Sequence, residues 1–329
     1  MKYRLFGKTD LRVSEIGFGA WAIGGAASVG GTPIGWGQTN DATSTKAIYS
    51  ALDAGINFFD TADFYGLGHS ESLLGETVGE NKDVIIATKV GQRNIENKIV
   101  IDYSKDYVVK ACEESLKRLK RDCVDYYQLH AARLNHLQAG ECIEAMEALK
   151  EKGKIRYWGL SLNTFYPQPE ADYLIERNLG DGFQLVFNVI NQRALPVMEK
   201  AAAAGYGIIA RMPLQFGLLT GKFYSSSTFD NSDHRSFRLS KEILANSLSL
   251  LEEKVWPVAA KESLSKTGLA LSYILSFSEI STVIPGIRVP EQVQSNTESI
   301  QVLNNEDKRF LKALATEFEP IVQLMEQRG

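Results

Sequence analysis

Short apolar runs alternate with amphipathic stretches along nearly the whole chain. Eight runs are rich in β-branched or aromatic residues. Several are continuously apolar, which is typical of strands buried on both faces of a parallel sheet. The predicted strands are Ile16–Ala20, Ile56–Asp60, Val84–Lys89, Val124–His130, Arg156–Ser161, Phe183–Asn188, Gly207–Arg211 and Ser281–Pro285.

The stretches between these strands carry apolar residues at helical spacing, with charges on the opposite face. Asn40 and Asp41 supply an N-cap before the first helix, and Gly55 follows its end. The predicted helices are Thr43–Ala54, Asp106–Lys120, Glu141–Lys150, Pro169–Arg177, Pro196–Ala204, Lys241–Ser263 and Leu269–Phe277, with one more in the tail after Asn305.

Eight strands with intervening helices and no central break predict an α/β fold, a single (β/α)₈ barrel. Dividing 329 residues by about 150 per domain suggests two domains, but barrels of this size fold as one. We therefore expect one barrel domain over residues 1–329. Tyr3–Leu5 with Val13 predicts a small hairpin that closes the barrel bottom, and the tail adds helical structure at the C-terminus.

Composition and charge exclude several classes of protein. The chain is 44% hydrophobic with a net charge of −4, so it is neither disordered nor suited to nucleic acid or anionic membrane. The longest uncharged stretch, Ile16–Asn40, contains eight glycines, which favours a strand and loop over a membrane helix. Cys112, Cys123 and Cys142 lack CxxC spacing, which favours the reducing cytoplasm.

Most of the predicted strands end in a polar residue. In a (β/α)₈ barrel the C-terminal strand ends meet at one mouth, so these side chains converge. Each alone has an ordinary structural role, such as a helix cap, but an acid, a base and an imidazole at successive ends indicate a site. The strand-end residues are Asp60, Lys89, His130, Ser161, Gln184 with Asn188, and Arg211.

Tyr65 adds a phenol on the loop that follows Asp60. A phenol is a poor proton donor at neutral pH, and a nearby cation favours its ionised form. Lys89 can supply that cation, Asp60 can hold it as an ion pair, and His130 can orient a substrate oxygen. The set predicts carbonyl reduction, or its reverse, without identifying the hydride source.

At these residues the sequence resembles the aldo-keto reductase superfamily, in particular bacterial members without a long substrate-closing C-terminal loop. The resemblance runs from about Tyr3 to Ser299. It is carried by six motifs in order: GINFFDTADFYG at Gly55–Gly66, GHSE at Gly68–Glu71, Thr88-Lys89, DYYQLH at Asp125–His130, PLQFGLLTGK at Pro213–Lys222 and IPGIR at Ile284–Arg288.

The resemblance implies a catalytic tetrad of Asp60, Tyr65, Lys89 and His130, with Tyr65 as the general acid. It implies hydride transfer from a nicotinamide to an aldehyde or ketone, without a metal. It also implies a cofactor lying across the mouth, in contact with Trp21, Ser161, Asn163, Gln184, Arg211, Pro213, Leu214, Gly217, Leu218, Gly221, Lys222, Gly286, Arg288, Gln292 and Asn296.

Arg288 stands near a helix start at Pro290, where a guanidinium and free backbone N–H groups together suit a 2′-phosphate, so we expect NADPH rather than NADH. Two positions depart from the family pattern. Leu162 follows Ser161 where Asn is common, so Asn163 takes over the carboxamide contact or that contact is absent. Arg211 stands where many members carry an aromatic residue, and a planar guanidinium can also stack.

Three other functions are compatible with parts of the sequence. A cofactor-binding regulatory subunit resembling potassium-channel β-subunits is less expected, because the tetrad is intact and no extended segment precedes the barrel. A Rossmann dehydrogenase is the second alternative, but Gly17–Ala22 has the GxG of that fold with Ala22 in place of the third glycine, and no helix follows. A metal-dependent barrel hydrolase is the third, but the four histidines, of which His69, His136 and His234 lie outside the tetrad, lack metal-ligand spacing.

The expected substrate is a small carbonyl compound, either a sugar or an apolar aldehyde or ketone. Its predicted contacts are Trp36 and Phe64, with further walls from the loop Trp21–Trp36, Tyr166 and the polar loop Ser225–Arg238. Oligomeric state is not predicted, because no apolar stripe is distinguishable from the barrel's own helix packing.

Overall fold

The barrel strands form one parallel sheet in the computed structural model, which describes residues 1–230 and 233–328. Each strand pairs with the next along the chain. The barrel is closed by the segment just before the first strand, where Gly17 N–H donates to Val283 O (2.8 Å) of the last strand and Val283 N–H donates to Glu15 O (3.0 Å). This confirms the predicted barrel. Its strands are β1 (Phe18–Gly19), β2 (Phe58–Asp60), β3 (Ile85–Val90), β4 (Val124–His130), β5 (Ile155–Ser161), β6 (Gly182–Val186), β7 (Gly207–Arg211) and β8 (Thr282–Ile284).

Helices surround the sheet, and most lie close to their predicted bounds. They are α1 (Asp41–Asp53), α2 (His69–Val78), α3 (Lys105–Leu119), α4 (Leu134–Ala139), α5 (Glu141–Glu151), α6 (Gln168–Glu176), α7 (Leu195–Ala203), α8 (Arg235–Arg238), α9 (Lys241–Leu250), α10 (Trp256–Lys261), α11 (Lys266–Leu275), α12 (Pro290–Thr297), α13 (Asn305–Ala313) and α14 (Ala315–Glu326).

Two predicted helices differ from the structure. The long helix Lys241–Ser263 is interrupted by a π-turn at Leu251–Val255. Pro257 lies just after it and has no N–H to donate to the preceding turn. The single tail helix is instead two, α13 and α14. Leu314 has a ψ of −9°, so the chain bends there, and each helix then buries apolar residues of its own, Leu311 in α13 and Phe318, Ile321, Val322 and Met325 in α14.

Several short elements were not predicted from the sequence. They comprise α2, α4, α8 and two β-hairpins, Ser28–Val29 with Thr32–Pro33 and Gln92–Ile95 with Lys98–Ile101. Most are too short for a periodic apolar pattern to develop. Part of the polar loop Ser225–Arg238, residues 231 and 232, lies outside the described residues; its last four residues form α8.

The barrel bottom is filled from the N-terminal hairpin, in which Tyr3–Leu5 pairs with Arg12–Ser14. The Phe6 ring is fully buried there. It fits because β6 and β7 begin with glycines: a Cβ on Gly182 or Gly207 would approach the ring to 2.6 or 2.5 Å. Since this end is packed with side chains, the opposite end is left for chemistry.

In the part of the chain that the structure describes, every helix is too short or too polar to cross a bilayer.

Candidate active site

The ends of β2 and β3 bring a buried ion pair to the mouth of the barrel. Lys89 is fully buried, and its Nζ donates to Asp60 Oδ2 (2.6 Å), to Thr61 O (2.7 Å) and to the Tyr65 hydroxyl oxygen (3.2 Å). An ammonium has three N–H groups, so every one of them has an acceptor.

A close contact between two loops positions Tyr65. Gly66 has a φ of 62°, and a Cβ on it would lie 2.1 Å from Gly24 O. Only glycine lets the turn after β2 lie this close to the turn after β1. The phenol ring consequently lies 4.7 Å from the Lys89 ammonium, with its centroid 5.9 Å from that of His130.

The second oxygen of Asp60 is held by two glutamines. Gln128 Nε2 and Gln184 Nε2 donate to Asp60 Oδ1 at 3.1 and 2.7 Å. Sequence analysis assigned no role to Gln128, although it lies two residues before His130 on β4, and alternate residues of a strand share a face. Gln184, expected at the cofactor, uses its amide nitrogen on Asp60.

Burial acts on the pKa values of both Lys89 and His130, but the outcome differs between them. Burial alone would lower the pKa of the Lys89 ammonium, but the Asp60 carboxylate and Tyr65 outweigh it and raise that pKa above its usual value. Among the described residues, no carboxylate offsets burial at His130. Burial, assisted by the positive charges of Lys89 and Arg211, lowers the His130 pKa well below its usual range, so the imidazole is neutral near pH 7.

Arg211 ends β7 as a desolvated cation with neutral partners. It donates to Leu162 O (3.1 Å) and to Thr164 Oγ1 (3.0 Å), while its Nε is buried without a hydrogen-bond partner among the described residues. Burial lowers the Arg211 pKa to about 10.

Ser161 ends β5, and Asn163 follows it two residues later. Ser161 lies in register between His130 on β4 and Gln184 on β6. Asn163 Oδ1 accepts the N–H groups of the second and third residues after it (2.9 and 2.8 Å), so its side chain also shapes the local turn.

The segment after β7 curls into a turn that Asn188 supports. Gly217 and Gly221 have φ values of 99° and 71°, and Asn188 Nδ2 donates to Gln215 Oε1 (2.7 Å). All six residues that the sequence assigned here to the cofactor lie on this one segment: Pro213, Leu214, Gly217, Leu218, Gly221 and Lys222.

The segment after β8 combines features that suit the nucleotide end of a dinucleotide. Gly286 is exposed, with open space where a Cβ would stand. The Arg288 N–H donates to Gln292 Oε1 (2.8 Å), and α12 begins two residues later. Asn296 is buried, and its Nδ2 has no hydrogen-bond partner in the described chain. An unpaired buried donor, a guanidinium and a helix start fit a phosphorylated adenosine.

Aromatic side chains cover the tyrosine. The Trp21 ring stacks against Tyr65 (centroids 6.0 Å apart) and meets the Trp36 ring at 5.4 Å. His234, from the polar loop, stacks on Trp21 at 4.7 Å. Phe64 lies elsewhere, along a surface cleft of about 330 Å³ that it shares with Asp63 and Tyr107.

The structure also bears on the two alternative sites, a Rossmann nucleotide-binding turn and a metal site. Gly17–Ala22 spans β1 and the start of a 3₁₀ turn at Ala20–Gly24, not the strand-to-helix turn of a Rossmann fold. Over residues 1–230 and 233–328 no three His, Cys, Asp or Glu side chains are grouped as metal ligands would be.

Comparison with known proteins gives concordant matches. The sequence model of the "Aldo/keto reductase family" matches residues 15–315. The chain is 31% identical over 339 residues to L-galactose dehydrogenase of Arabidopsis thaliana, covering 98% of this chain and 96% of that protein. It is 26% identical over 326 residues to a probable voltage-gated potassium channel subunit beta of the same plant, covering 92% of each.

The fold is also similar to that of a solved structure. The glycerol dehydrogenase AKR11B4 from Gluconobacter oxydans superposes with a TM-score of 0.81 at 26% identity. The match covers 97% of this chain and 96% of that one.

Proposed function

Because the chain belongs to the aldo/keto reductase family, whose members are NAD(P)H-dependent oxidoreductases, we propose that it reduces an aldehyde or ketone, a sugar or another small carbonyl compound, to the alcohol with NADPH. The observation that carries the proposal is the hydrogen bond from Lys89 Nζ to the Tyr65 oxygen, 3.2 Å long, on an ammonium that Asp60 fixes at 2.6 Å.

This geometry supports the role of Tyr65 as the proton donor in the proposal. Because the phenol oxygen accepts from Lys89, its own O–H remains free to point at a substrate oxygen. The adjacent ammonium stabilises the phenolate that forms when that proton leaves. Asp60, itself held by Gln128 and Gln184, keeps the ammonium charged and in place. These residues would hold the carbonyl compound beside a nicotinamide bound at the mouth, which would supply the hydride.

His130 orients the carbonyl. A neutral imidazole carries one N–H donor, and the lowered His130 pKa keeps the ring in that form. It therefore donates a hydrogen bond to the substrate oxygen without competing with Tyr65 as the acid.

Replacing Tyr65 tests the reaction. Tyr65→Phe removes only the hydroxyl, so we expect kcat to fall at least about a hundredfold while the Kd for NADPH stays within about twofold. Steady-state oxidation of NADPH with a panel of aldehydes and sugars, together with NADPH fluorescence titration, measures both. Tyr49→Phe, at an exposed tyrosine, is the matched control. Turnover within a few-fold of the parent would contradict the assignment.

The chain holds NADPH, in this proposal, through the residues named above at the ends of β1 and β5–β8, with Arg288 at the 2′-phosphate. Arg288→Ala should then raise the KM for NADPH at least about tenfold and leave the KM for NADH nearly unchanged, because only NADPH carries that phosphate. Kinetics with both cofactors measure this difference. An equal rise in both values would remove Arg288 from the phosphate site.

A cofactor-binding regulatory subunit is the second candidate, supported by the similarity to a potassium channel subunit. Such a role needs the nucleotide segments but not a proton donor, whereas Tyr65 here has its cation in hydrogen-bond contact. The two candidates differ in outcome: protein that binds NADPH yet oxidises none of it with any carbonyl would favour the second. In either role we propose the cytoplasm, where the free thiols of Cys112, Cys123 and Cys142 stay reduced.

A further inference from the structure

The rim of the barrel bottom, opposite the proposed active site, carries a cleft of about 440 Å³ that is lined mainly by cations. It lies where the C-terminal end of α3 meets the segments that lead into β4 and β5. Val124 N–H donates to Lys154 O (3.0 Å) at the N-terminal ends of these two strands. We call it the basic cleft; its charged lining residues are Glu113, Lys117, Lys120, Arg121, Asp122 and Lys154.

The lining carries more positive than negative charge. Three lysines and one arginine stand against two carboxylates, an excess of two positive charges in a chain whose net charge is −4. Lys117, Lys120 and Lys154 are exposed, and none of them forms an ion pair with another side chain that the structure describes. Cations gathered around a concave surface raise the local concentration of anions. The cleft therefore suits an anionic ligand.

Arg121 gives the cleft a buried cation that the chain pairs incompletely. Its side chain is 5% exposed, and its Nη2 donates to Val78 O and Asn81 O at the end of α2. Asp125 Oδ2 lies 3.6 Å from Nη1, but the other oxygen of that carboxylate accepts from Arg156 at 2.9 Å. Arg121 Nε is buried without a hydrogen-bond partner among the described residues. Further negative charge close by would stabilise such a guanidinium.

The dipole of α3 accounts for only part of this charge. Lys117 and Lys120 lie at the C-terminal end of that helix, where cations are favourable. Arg121 belongs to the turn before β4, and Lys154 directly precedes β5. Cations from separate segments thus converge on one cleft, which indicates a binding site rather than the stabilisation of one helix end.

We propose that the basic cleft binds the phosphate monoester of a small organic molecule, at a site separate from the barrel mouth. Such a phosphate carries about −1.5 to −2 charge at pH 7 and three strong acceptor oxygens, which matches the excess of two positive charges. Guanidinium and ammonium groups are the usual protein partners of phosphate. The volume of about 440 Å³ is in the range of small-molecule pockets, and Leu116 adds an apolar wall for the organic part. The inference does not depend on the proposed function.

Isothermal titration calorimetry with glucose 1-phosphate tests the site, because this sugar phosphate has no free carbonyl to be reduced. At pH 7.5 and low salt we expect a Kd near or below about 1 mM. Methyl glucoside, which lacks the phosphate, should not bind measurably. Gluconate, with a single negative charge, should bind at least about fivefold more weakly. At pH 5 the phosphate becomes a monoanion, so its Kd should rise at least about threefold.

Two double variants with the same change in charge locate the site. Lys120→Gln combined with Lys154→Gln removes two cations of the basic cleft and should raise the Kd for glucose 1-phosphate at least about tenfold. Lys46→Gln combined with Lys98→Gln removes two exposed lysines outside the cleft and should leave that Kd within about twofold. Circular dichroism establishes that both are folded, and Lys154→Gln alone decides the question if the first double variant is not.

The inference is overturned if the Kd for glucose 1-phosphate does not depend on Lys120 and Lys154, or if methyl glucoside binds equally well. It is also overturned if saturating NADP⁺ abolishes the binding, because the phosphate would then occupy the segment of Arg288.

A macromolecular ligand is a further outcome that would overturn it. Phosphatidylcholine vesicles containing phosphatidylinositol 4-phosphate, or a single-stranded RNA, would then bind through Lys120 and Lys154 more tightly than the sugar phosphate does. No measurement in this set needs turnover, so failure of the proposed reaction would leave the result for the basic cleft unaffected.

Discussion

Two buried cations at the barrel mouth, Lys89 and Arg211, differ in how completely the chain pairs them. On the lysine side, each N–H of Lys89 and both oxygens of Asp60 have partners within the chain. On the arginine side, Arg211 Nε is buried without a hydrogen-bond partner among the described residues. The Lys89–Asp60 pair is therefore complete as the chain folds, whereas Arg211 keeps an unpaired donor.

The free energy lost when a cation is removed should also differ between Lys89 and Arg211. A buried ion pair is costly to break, because the remaining charge is left desolvated. Lys89 has a carboxylate at 2.6 Å, whereas the partners of Arg211 among the described residues are a carbonyl, a hydroxyl and the thioether of Met212. We therefore expect substitutions on the lysine side to damage the fold, and substitutions on the arginine side to damage binding.

Lys89→Met should have the largest effect. It leaves Asp60 buried without its cation, so the free energy of unfolding should fall by about 3–5 kcal/mol and kcat should fall at least about a hundredfold. Urea unfolding at pH 7 and steady-state kinetics measure the two losses.

Lys200→Met is the matched control for this change. Lys200 is also 2.6 Å from a carboxylate, that of Asp172, but both side chains are nearly half exposed. Because water screens such a pair, we expect no measurable change in stability or kcat. If the two variants lost similar stability, burial would not distinguish the lysine side.

Arg211→Met should reverse the pattern. The free energy of unfolding should change by less than about 2 kcal/mol, since relief of the desolvated charge offsets the two lost hydrogen bonds. The Kd for NADPH should rise about tenfold or more if the guanidinium contacts the cofactor. Urea unfolding and fluorescence titration test both expectations. A stability loss as large as that of Lys89→Met would abolish the distinction between the two sides.

His234→Phe should have the smallest effect, seen as a change in pH dependence. The lowered His234 pKa means that the unfolded chain binds the proton more readily, so the stability that this residue contributes is full above about pH 6.5 and is lost as the pH falls towards 3. The parent should lose about 1–2 kcal/mol more than the variant between pH 7 and pH 5. Equal losses in urea unfolding at the two pH values would show that His234 is not held neutral.

The lysine side is also the part of the site that the sequence predicts well. Asp60, Lys89 and His130 end strands whose apolar runs are evident, and the barrel brings strand ends together. Tyr65 follows in a short turn. Gln128 lies on the same predicted strand, yet its bond to Asp60 depends on the stagger between strands, which periodicity does not encode.

The aromatic group that covers Tyr65, formed by Trp21, Trp36 and His234, is assembled by loops, and this explains why less of it was predictable. Trp36 and His234 are nearly 200 residues apart, on segments without periodic apolar pattern, and only the folded chain brings their rings into contact. Phe64, also predicted to contact the substrate, lines a surface cleft with Asp63 and Tyr107, and its contact with the substrate stays a prediction.

The buried ring of Phe6 has a consequence for how the protein is made. The ribosome synthesises Phe6 almost first, but its packing partners Gly182 and Gly207 emerge about 180–200 residues later. At about 5–20 residues per second, the N-terminal hairpin waits roughly 10–40 seconds for the strands it closes. Although its other neighbours Phe58 and Tyr126 are synthesised earlier, the packing of Phe6 is complete only after β7 has been made, so the hairpin closes the barrel late in synthesis.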